Sequence, residues 1–364
     1  MIKLLIVDDS PLMRRLLTEI FAAAGDFEIE VARNGAEAIE RIPNFAPDVV
    51  TLDIHMPGMD GLACLDQIML IRPCPVVMVS SLTAEGADET LEAMALGAVD
   101  FIPKPRGSVS LEIDALAPAL VEKVRAAAGA RISRTTRLRD RVRARVEGTI
   151  PGSSSKARRA QPPSRLPMPR QVKGEGLVLV GSSTGGPPAL DALLGPLPEN
   201  FPWPIVIAQH MPASFTGPLA RRLDRLSALN ISEVTTAAPL LPGHAYIGRG
   251  DADLIISRRA GTLTALAAPA SEDYFWHPSV DRLVTTAMRV VAPERLIGVL
   301  LTGMGADGAK AMSALKQNGG STIAEAQETA IVWGMPGALV AAGGASIIAP
   351  LGRVASELMA LLAE

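Results

Sequence analysis

The chain comprises 364 residues, 48% of them hydrophobic and 20% charged, with a formal net charge of −3. This length accommodates two domains with sizeable cores, and no apolar run approaches the roughly 18–20 residues that a membrane span needs. Two cysteines, Cys64 and Cys74, give neither zinc spacing nor a disulfide framework. The first residues read as a strand rather than a signal peptide, so a soluble cytoplasmic protein without membrane insertion is expected.

From residue 1 to about 125, apolar runs at 4–7, 49–52, 76–79 and 101–102 read as strands, with helical periodicity between them, for example at 14–24 and 87–95. Repeated β-then-α units predict a doubly wound parallel sheet covered on both faces. The apolar rhythm then fails across 126–175, where an arginine-dense stretch precedes a Gly-Ser-Ser-Ser run and Pro162, Pro163, Pro167 and Pro169. Between 131 and 173 there are thirteen basic and two acidic residues, against 22 basic and 36 acidic in the remainder. Such a segment cannot bury enough apolar surface to offset chain entropy, so it reads as a linker. A basic run also permits nucleic-acid or acidic-lipid binding, but this one lacks interleaved aromatics and no nucleic acid is expected. From 176 to 364 the alternation resumes, with strands expected at 177–180, 205–208, 245–247, 254–257 and 297–301 and a helix at 309–318. This predicts a second α/β domain with its own sheet.

In the first domain polar residues gather at strand ends. Asp8 and Asp9 follow the first strand, Asp53 the second, Ser80 and Ser81 the third, and Lys104 the fourth. The carboxyl ends of strands in a doubly wound sheet share one edge, where ligands bind. Carboxylates that close repel one another and call for a cation, and oxygen-only ligands suit Mg²⁺, which favours phosphate. Caps and turns would explain each acid singly, but not these residue types at four strand ends. Asp8-Asp9, Asp53 within Asp53-Ile54-His55-Met56-Pro57-Gly58-Met59-Asp60-Gly61, Ser80 and Lys104-Pro105 together resemble the response-regulator receiver domain. That resemblance implies that Asp53 accepts a phosphoryl group from a partner histidine kinase. It also implies Mg²⁺ bound by Asp8, Asp9 and Asp53, Ser80 as the switch hydroxyl, and Lys104 at the phosphoryl group. His55 reads as a loop side chain rather than a metal ligand.

In the second domain Gly181-Ser182-Ser183-Thr184-Gly185 fits G-x-S-x-G directly after a buried strand. A serine on such a turn has its hydroxyl pushed out beside amides that can hold an oxyanion, although glycine-rich turns after strands also hold phosphates or simply pack a helix. A nucleophilic serine needs a base, and three histidines are available. His210 ends the strand at 205–208, His244 lies in a turn before a strand and reads as structural, and His277 begins a helical segment and could contact substrate. Asp307, in the glycine-rich turn after 297–301, could orient an imidazole or serve only as the N-cap of the following helix.

The second domain resembles the chemotaxis protein-glutamate methylesterase family, CheB. The signatures are Gly181-Ser182-Ser183-Thr184-Gly185-Gly186, Gln209-His210-Met211-Pro212, Pro278-Ser279-Val280-Asp281, Leu301-Thr302-Gly303-Met304-Gly305-Ala306-Asp307-Gly308 and Gly334-Met335-Pro336. By resemblance Ser183 is the nucleophile, His210 its base and Asp307 the orienting carboxylate, with Thr184 and the Met304 backbone N–H at the active site. His277 stands where the family often has arginine. The implied activity is phosphorylation-activated hydrolysis of glutamate methyl esters on chemoreceptor cytoplasmic domains, releasing methanol, with deamidation of glutamine alongside and no cofactor for the esterase step. The unphosphorylated receiver is expected to pack over the Ser183 face. Two other readings are a receiver-linked hydrolase of a different ester and a phosphorylation-gated binding module that uses the arginine-rich linker.

Overall fold

The computed structural model describes residues 1–81, 83–104, 109–130, 165–167 and 174–363. The chain divides into two compact units, Met1–Gln161 and Pro162–Glu364. Most of the arginine-rich stretch at 126–175 lies outside the described residues, as does Pro105.

The first unit is a parallel sheet of β1 (Ile2–Val7), β2 (Phe27–Ala32), β3 (Val49–Asp53), β4 (Val76–Ser80) and β5 (Asp100–Pro103), in the order β2-β1-β3-β4-β5. Its helices are α1 (Pro11–Ala24), α2 (Gly35–Phe45), α3 (Gly61–Ile71), α4 (Ala84–Leu96) and α5 (Val109–Ala128). Strands β3 and β4 are buried along their whole length, as their unbroken apolar runs require in a sheet covered on both faces. Helix α1 starts before the periodicity does, because the Ser10 hydroxyl accepts from the Met13 N–H and Pro11 presets the first turn. Strand β2 escapes the sequence reading for a physical reason. It lies at the sheet edge, and its Phe-Glu-Ile-Glu-Val-Ala sequence is only partly buried. The strand order reverses between β1 and β3, which sets Asp8 and Asp53 at the switch point.

The second unit is built on seven parallel strands: β6 (Leu177–Ser182), β7 (Ile205–Gln209), β8 (Asn230–Val234), β10 (His244–Gly248), β13 (Leu296–Leu300), β14 (Ser321–Glu325) and β15 (Ile347–Ala349). Their order is β15-β14-β13-β6-β7-β10-β8. The chain winds from β6 toward β7 and later returns to the other side at β13, so the crevice between the ends of β6 and β13 is the switch point. Helices α6 (Gly186–Leu194), α7 (Ala213–Leu226), α8 (Val280–Met288), α9 (Ala309–Gln317), α10 (Met335–Ala341) and α11 (Leu351–Ala363) accompany these strands. The run at 254–257 is a strand but not part of this sheet. It lies in β11 (Asp253–Arg259), which pairs antiparallel with β12 (Thr262–Ala268), itself bordered by β9 (Ala238–Pro239). Ala260 and Gly261 both take positive φ in this hairpin, as a tight turn between twisted strands requires. One face of the parallel sheet packs Leu177, Leu179 and Val206 against Leu283 of α8 and Met312 of α9.

Candidate active site and phosphoacceptor site

Strand β6 runs into α6 through Ser183, Thr184 and Gly185. Gly185 has φ +76°, and a Cβ there would come within 2.8 Å of Ile331, so the tight turn needs glycine. The turn is held on every side. The Ser183 N–H donates to the Thr302 carbonyl at 3.0 Å, and its own carbonyl accepts from the Gly186 N–H at 2.7 Å and Gln209 Nε2 at 2.9 Å. The Ser182 hydroxyl in turn donates to Gln209 Oε1 at 2.6 Å. The Thr302 hydroxyl donates to the Thr184 carbonyl at 2.9 Å and accepts from the Val332 N–H at 3.0 Å. Gly303 approaches so closely that a Cβ on it would lie 2.8 Å from Ser183 Cβ. Its neighbour Met304 lies beside this turn, and its N–H makes no hydrogen bond among the described residues.

His210 arrives from the adjacent strand, its N–H donating to the Ser182 carbonyl at 3.0 Å. Its Nε2 lies 2.8 Å from Asp307 Oδ2. An ionised carboxylate only accepts, so Nε2 carries the hydrogen and Nδ1 the lone pair. Nδ1 is buried without a hydrogen-bond partner.

Asp307 does not cap the helix that follows it. That helix, α9, begins from Gly308 with no side-chain cap. The carboxylate instead sits on the start of α8. Oδ2 accepts from the Val280 N–H at 2.7 Å, and Oδ1 from the Asp281 N–H at 3.1 Å and the Ser279 hydroxyl at 3.0 Å. Burial pushes this carboxyl up, but the His210 hydrogen bond and the two backbone N–H groups outweigh it and hold it below the usual range. Asp307 is therefore ionised at neutral pH. The indole of Trp276 stacks on the His210 ring, centroids 4.9 Å apart and planes 12° from parallel.

The other histidines are engaged elsewhere. His244 opens β10 and bonds the Pro242 carbonyl through Nδ1. His277 precedes α8 rather than beginning it, and its Nδ1 is taken by Asp253 Oδ1 at 3.0 Å. His55 in the first unit meets Glu89 Oε2 at 2.9 Å.

In the first unit Asp8, Asp9 and Asp53 bring oxygens within 4.8 Å of one another. Lys104 Nζ lies 2.7 Å from Asp53 Oδ2 and 3.5 Å from Asp8 Oδ2. Burial, then the Asp53 charge, pushes the Asp8 carboxyl up despite Lys104, and Asp8 Oδ2 is buried without a hydrogen bond. This oxygen-only cluster, short of positive charge, fits a hard cation such as Mg²⁺. Ser80 is buried at the end of β4, and its hydroxyl faces the first turn of α4, donating to the Gly86 carbonyl at 3.1 Å rather than turning to Asp53.

Comparison with known proteins identifies the two domains. A response-regulator receiver profile matches residues 4–113, and a CheB methylesterase profile matches residues 178–358. A protein-glutamate methylesterase/protein-glutamine glutaminase of Rhodopseudomonas palustris is 54% identical over 359 residues, covering 99% of this chain and 98% of its own. The chain belongs to the CheB methylesterase family. Another relative of that name, from Rhodospirillum rubrum, is 51% identical across 100% of this chain and 97% of its own. The crystal structure of the Thermotoga maritima CheB methylesterase catalytic domain superposes with a TM-score of 0.50 at 38% identity, covering 52% of this chain and all of that one.

The second unit also buries an acid that carried no sequence signal. Glu325, at the end of β14, is fully buried. Its Oε2 accepts from the Thr302 N–H at 2.8 Å, while Oε1 has no hydrogen-bond partner. Burial pushes its pKa up to about 7, with the Thr302 N–H offsetting only part of the cost. A carboxyl raised in the folded state contributes stability that is complete below its unfolded pKa and lost as pH rises through about 7. Glu325→Gln is therefore expected to flatten the dependence of melting temperature on pH between 5 and 8. Between pH 5 and pH 8 the stability difference should shift in favour of the variant by about 2–3 kcal/mol. Parallel melting curves for the two proteins across that range would contradict this.

Proposed function

We propose that the chain is a phosphorylation-activated protein-glutamate methylesterase, with glutamine deamidation as a companion activity, acting on chemoreceptor cytoplasmic helices. The observation that carries this is His210, fixed through Nε2 by an ionised Asp307 with Nδ1 unpartnered, on the strand beside the Ser183 turn. In this reading Ser183 Oγ attacks the ester carbonyl as Nδ1 takes its proton. The imidazolium, stabilised by Asp307, returns that proton to the departing methoxide and methanol leaves. His210 then activates water, which cleaves the acyl-enzyme and restores Ser183. A glutamine amide passes through the same tetrahedral state and loses ammonia instead. The N–H of Met304 would meet the oxyanion, with Thr184 lining the site; one such donor is worth about 10²- to 10³-fold in rate.

The receiver supplies the switch. Asp53 would accept the phosphoryl group from a histidine kinase, and Lys104 would pair with a phosphoryl oxygen. Asp8, Asp9 and Asp53 would hold Mg²⁺, which when bound neutralises charge at the phosphoryl oxygens. The hydroxyl of Ser80 must leave the Gly86 carbonyl to reach such a group, a rearrangement that would carry the signal into α4. Asp53→Ala is expected to take up no acid-labile phosphate from acetyl phosphate with Mg²⁺, and to lose all stimulation of esterase activity by that donor. Stimulation that persisted in the variant would remove Asp53 from the switch.

Substrate class is tested by mass spectrometry of methylated receptor after incubation with the protein. Loss of methyl groups from glutamyl side chains and conversion of glutamine to glutamate are expected. Hydrolysis of small esters with the receptor untouched would favour a different ester as substrate.

A further inference from the structure

Nine residues ahead of α8, at 271–279, form a loop whose two ends are tied to one side chain. Asp253, at the start of β11 and fully buried, accepts from the Ser271 N–H at 3.0 Å, the Ser279 N–H at 3.1 Å and His277 Nδ1 at 3.0 Å, and pairs with the Arg282 guanidinium. Arg282 also donates to the Pro269 carbonyl at 2.9 Å, and its guanidinium lies 6.0 Å from the Tyr274 ring centroid. Within this anchored loop Trp276 covers the face of His210, and Phe275 meets Trp276 edge-on with centroids 5.0 Å apart. Phe275 is 80% exposed, more than any other large apolar side chain described in the second unit. Glu272 and Asp273 beside it are also exposed.

A large apolar ring that meets Trp276 by one edge and is otherwise held out in water by a firmly tied loop calls for a covering surface. Its continuity with the catalytic imidazole says what covers it. Two ring-to-ring steps, of 4.9 and 5.0 Å, lead from His210 to Phe275, a reach of no more than about two helical turns. Resting on the function proposed above, we propose that the 271–279 loop reads the substrate helix. Phe275 takes an apolar side chain one or two turns from the reacting glutamyl group, and Glu272 and Asp273 face a basic residue on the same helix. Small esters reach Ser183 without touching this surface, so the loop sets specificity for protein substrate rather than the chemical step.

The test compares the full-length parent with Phe275→Ala on two substrates, methylated receptor membranes and p-nitrophenyl acetate, with and without acetyl phosphate. The proposal expects kcat/KM on receptor to fall about ten-fold or more, mainly through KM. Small-ester kcat/KM should stay within two-fold and the stimulation ratio should not change. Phe275→Leu, which keeps apolar surface, should recover most of the receptor activity. Equal losses on both substrates would make the loop a support of His210 and overturn the proposal, as would an unchanged receptor rate. A raised unphosphorylated rate would overturn it in favour of the protein's own receiver as occupant. A parent that cleaves the small ester but releases no methanol from receptor overturns the functional reading itself, before the variant is compared.

Discussion

Ser183→Ala is expected to lower ester hydrolysis by at least about 10⁴-fold while leaving the melting temperature within a few degrees of the parent. The size follows from what the proposed mechanism asks of the hydroxyl. Without it no acyl-enzyme forms, and only substrate positioning and oxyanion contacts remain. The intact fold follows from how the turn is held, because its contacts to Thr302, Gly186 and Gln209 all use the Ser183 backbone. Initial rates on a chromogenic ester together with thermal melts check both halves. A loss of less than about ten-fold would mean another nucleophile, and a collapse of the melt would make Ser183 structural.

Asp307→Asn comes second in size. The carboxylate holds the Nε2 hydrogen of His210 and so leaves Nδ1 as the ring's open acceptor. An amide can turn its NH₂ toward that nitrogen and stabilise the opposite tautomer, and it carries no charge to offset an imidazolium. A fall in kcat of about 10³- to 10⁴-fold is expected, with KM little changed. Unlike Ser183→Ala, this variant should also unfold more easily, since the same carboxylate accepts from Val280, Asp281 and Ser279 at the start of α8. The loss is about 1–3 kcal/mol. The sign with pH is set by the lowered pKa. The carboxylate contributes its stability above the unfolded value of about 3.8, and that contribution disappears as pH falls through the folded value below it. The gap between parent and Asp307→Asn should therefore narrow in acid. A kcat within ten-fold of the parent would detach Asp307 from the reaction and leave it a helix cap.

The residues legible from sequence share one property: each follows an apolar run at the carboxyl end of a parallel strand. Asp8, Asp53, Ser183 and His210 are of this kind, and the glycine-rich turn after β13 brings Asp307. The alternation of strand and helix that foretells both sheets also delivers these side chains to their switch points. What stayed hidden depends on contacts far apart in sequence. Asp307 and Ser279 meet across 28 residues, and Glu325 and Thr302 across 23. Nothing local in Asp253-Leu254 announces that its carboxylate will tie both ends of the 271–279 loop. The reading of Asp307 as the N-cap of the next helix fails for the same reason, since the helix it caps begins 27 residues earlier. A strand such as β2, partly exposed and broken by Glu28 and Glu30, leaves too little apolar signal to be read.

The most direct measurement is methanol released from methylated receptor membranes by the parent and by Ser183→Ala, each with Mg²⁺ and with or without acetyl phosphate. The account predicts release by the parent that rises with the phosphodonor, and none above background from the variant under either condition. Release that survives the alanine, or that ignores the phosphodonor in the parent, would contradict it.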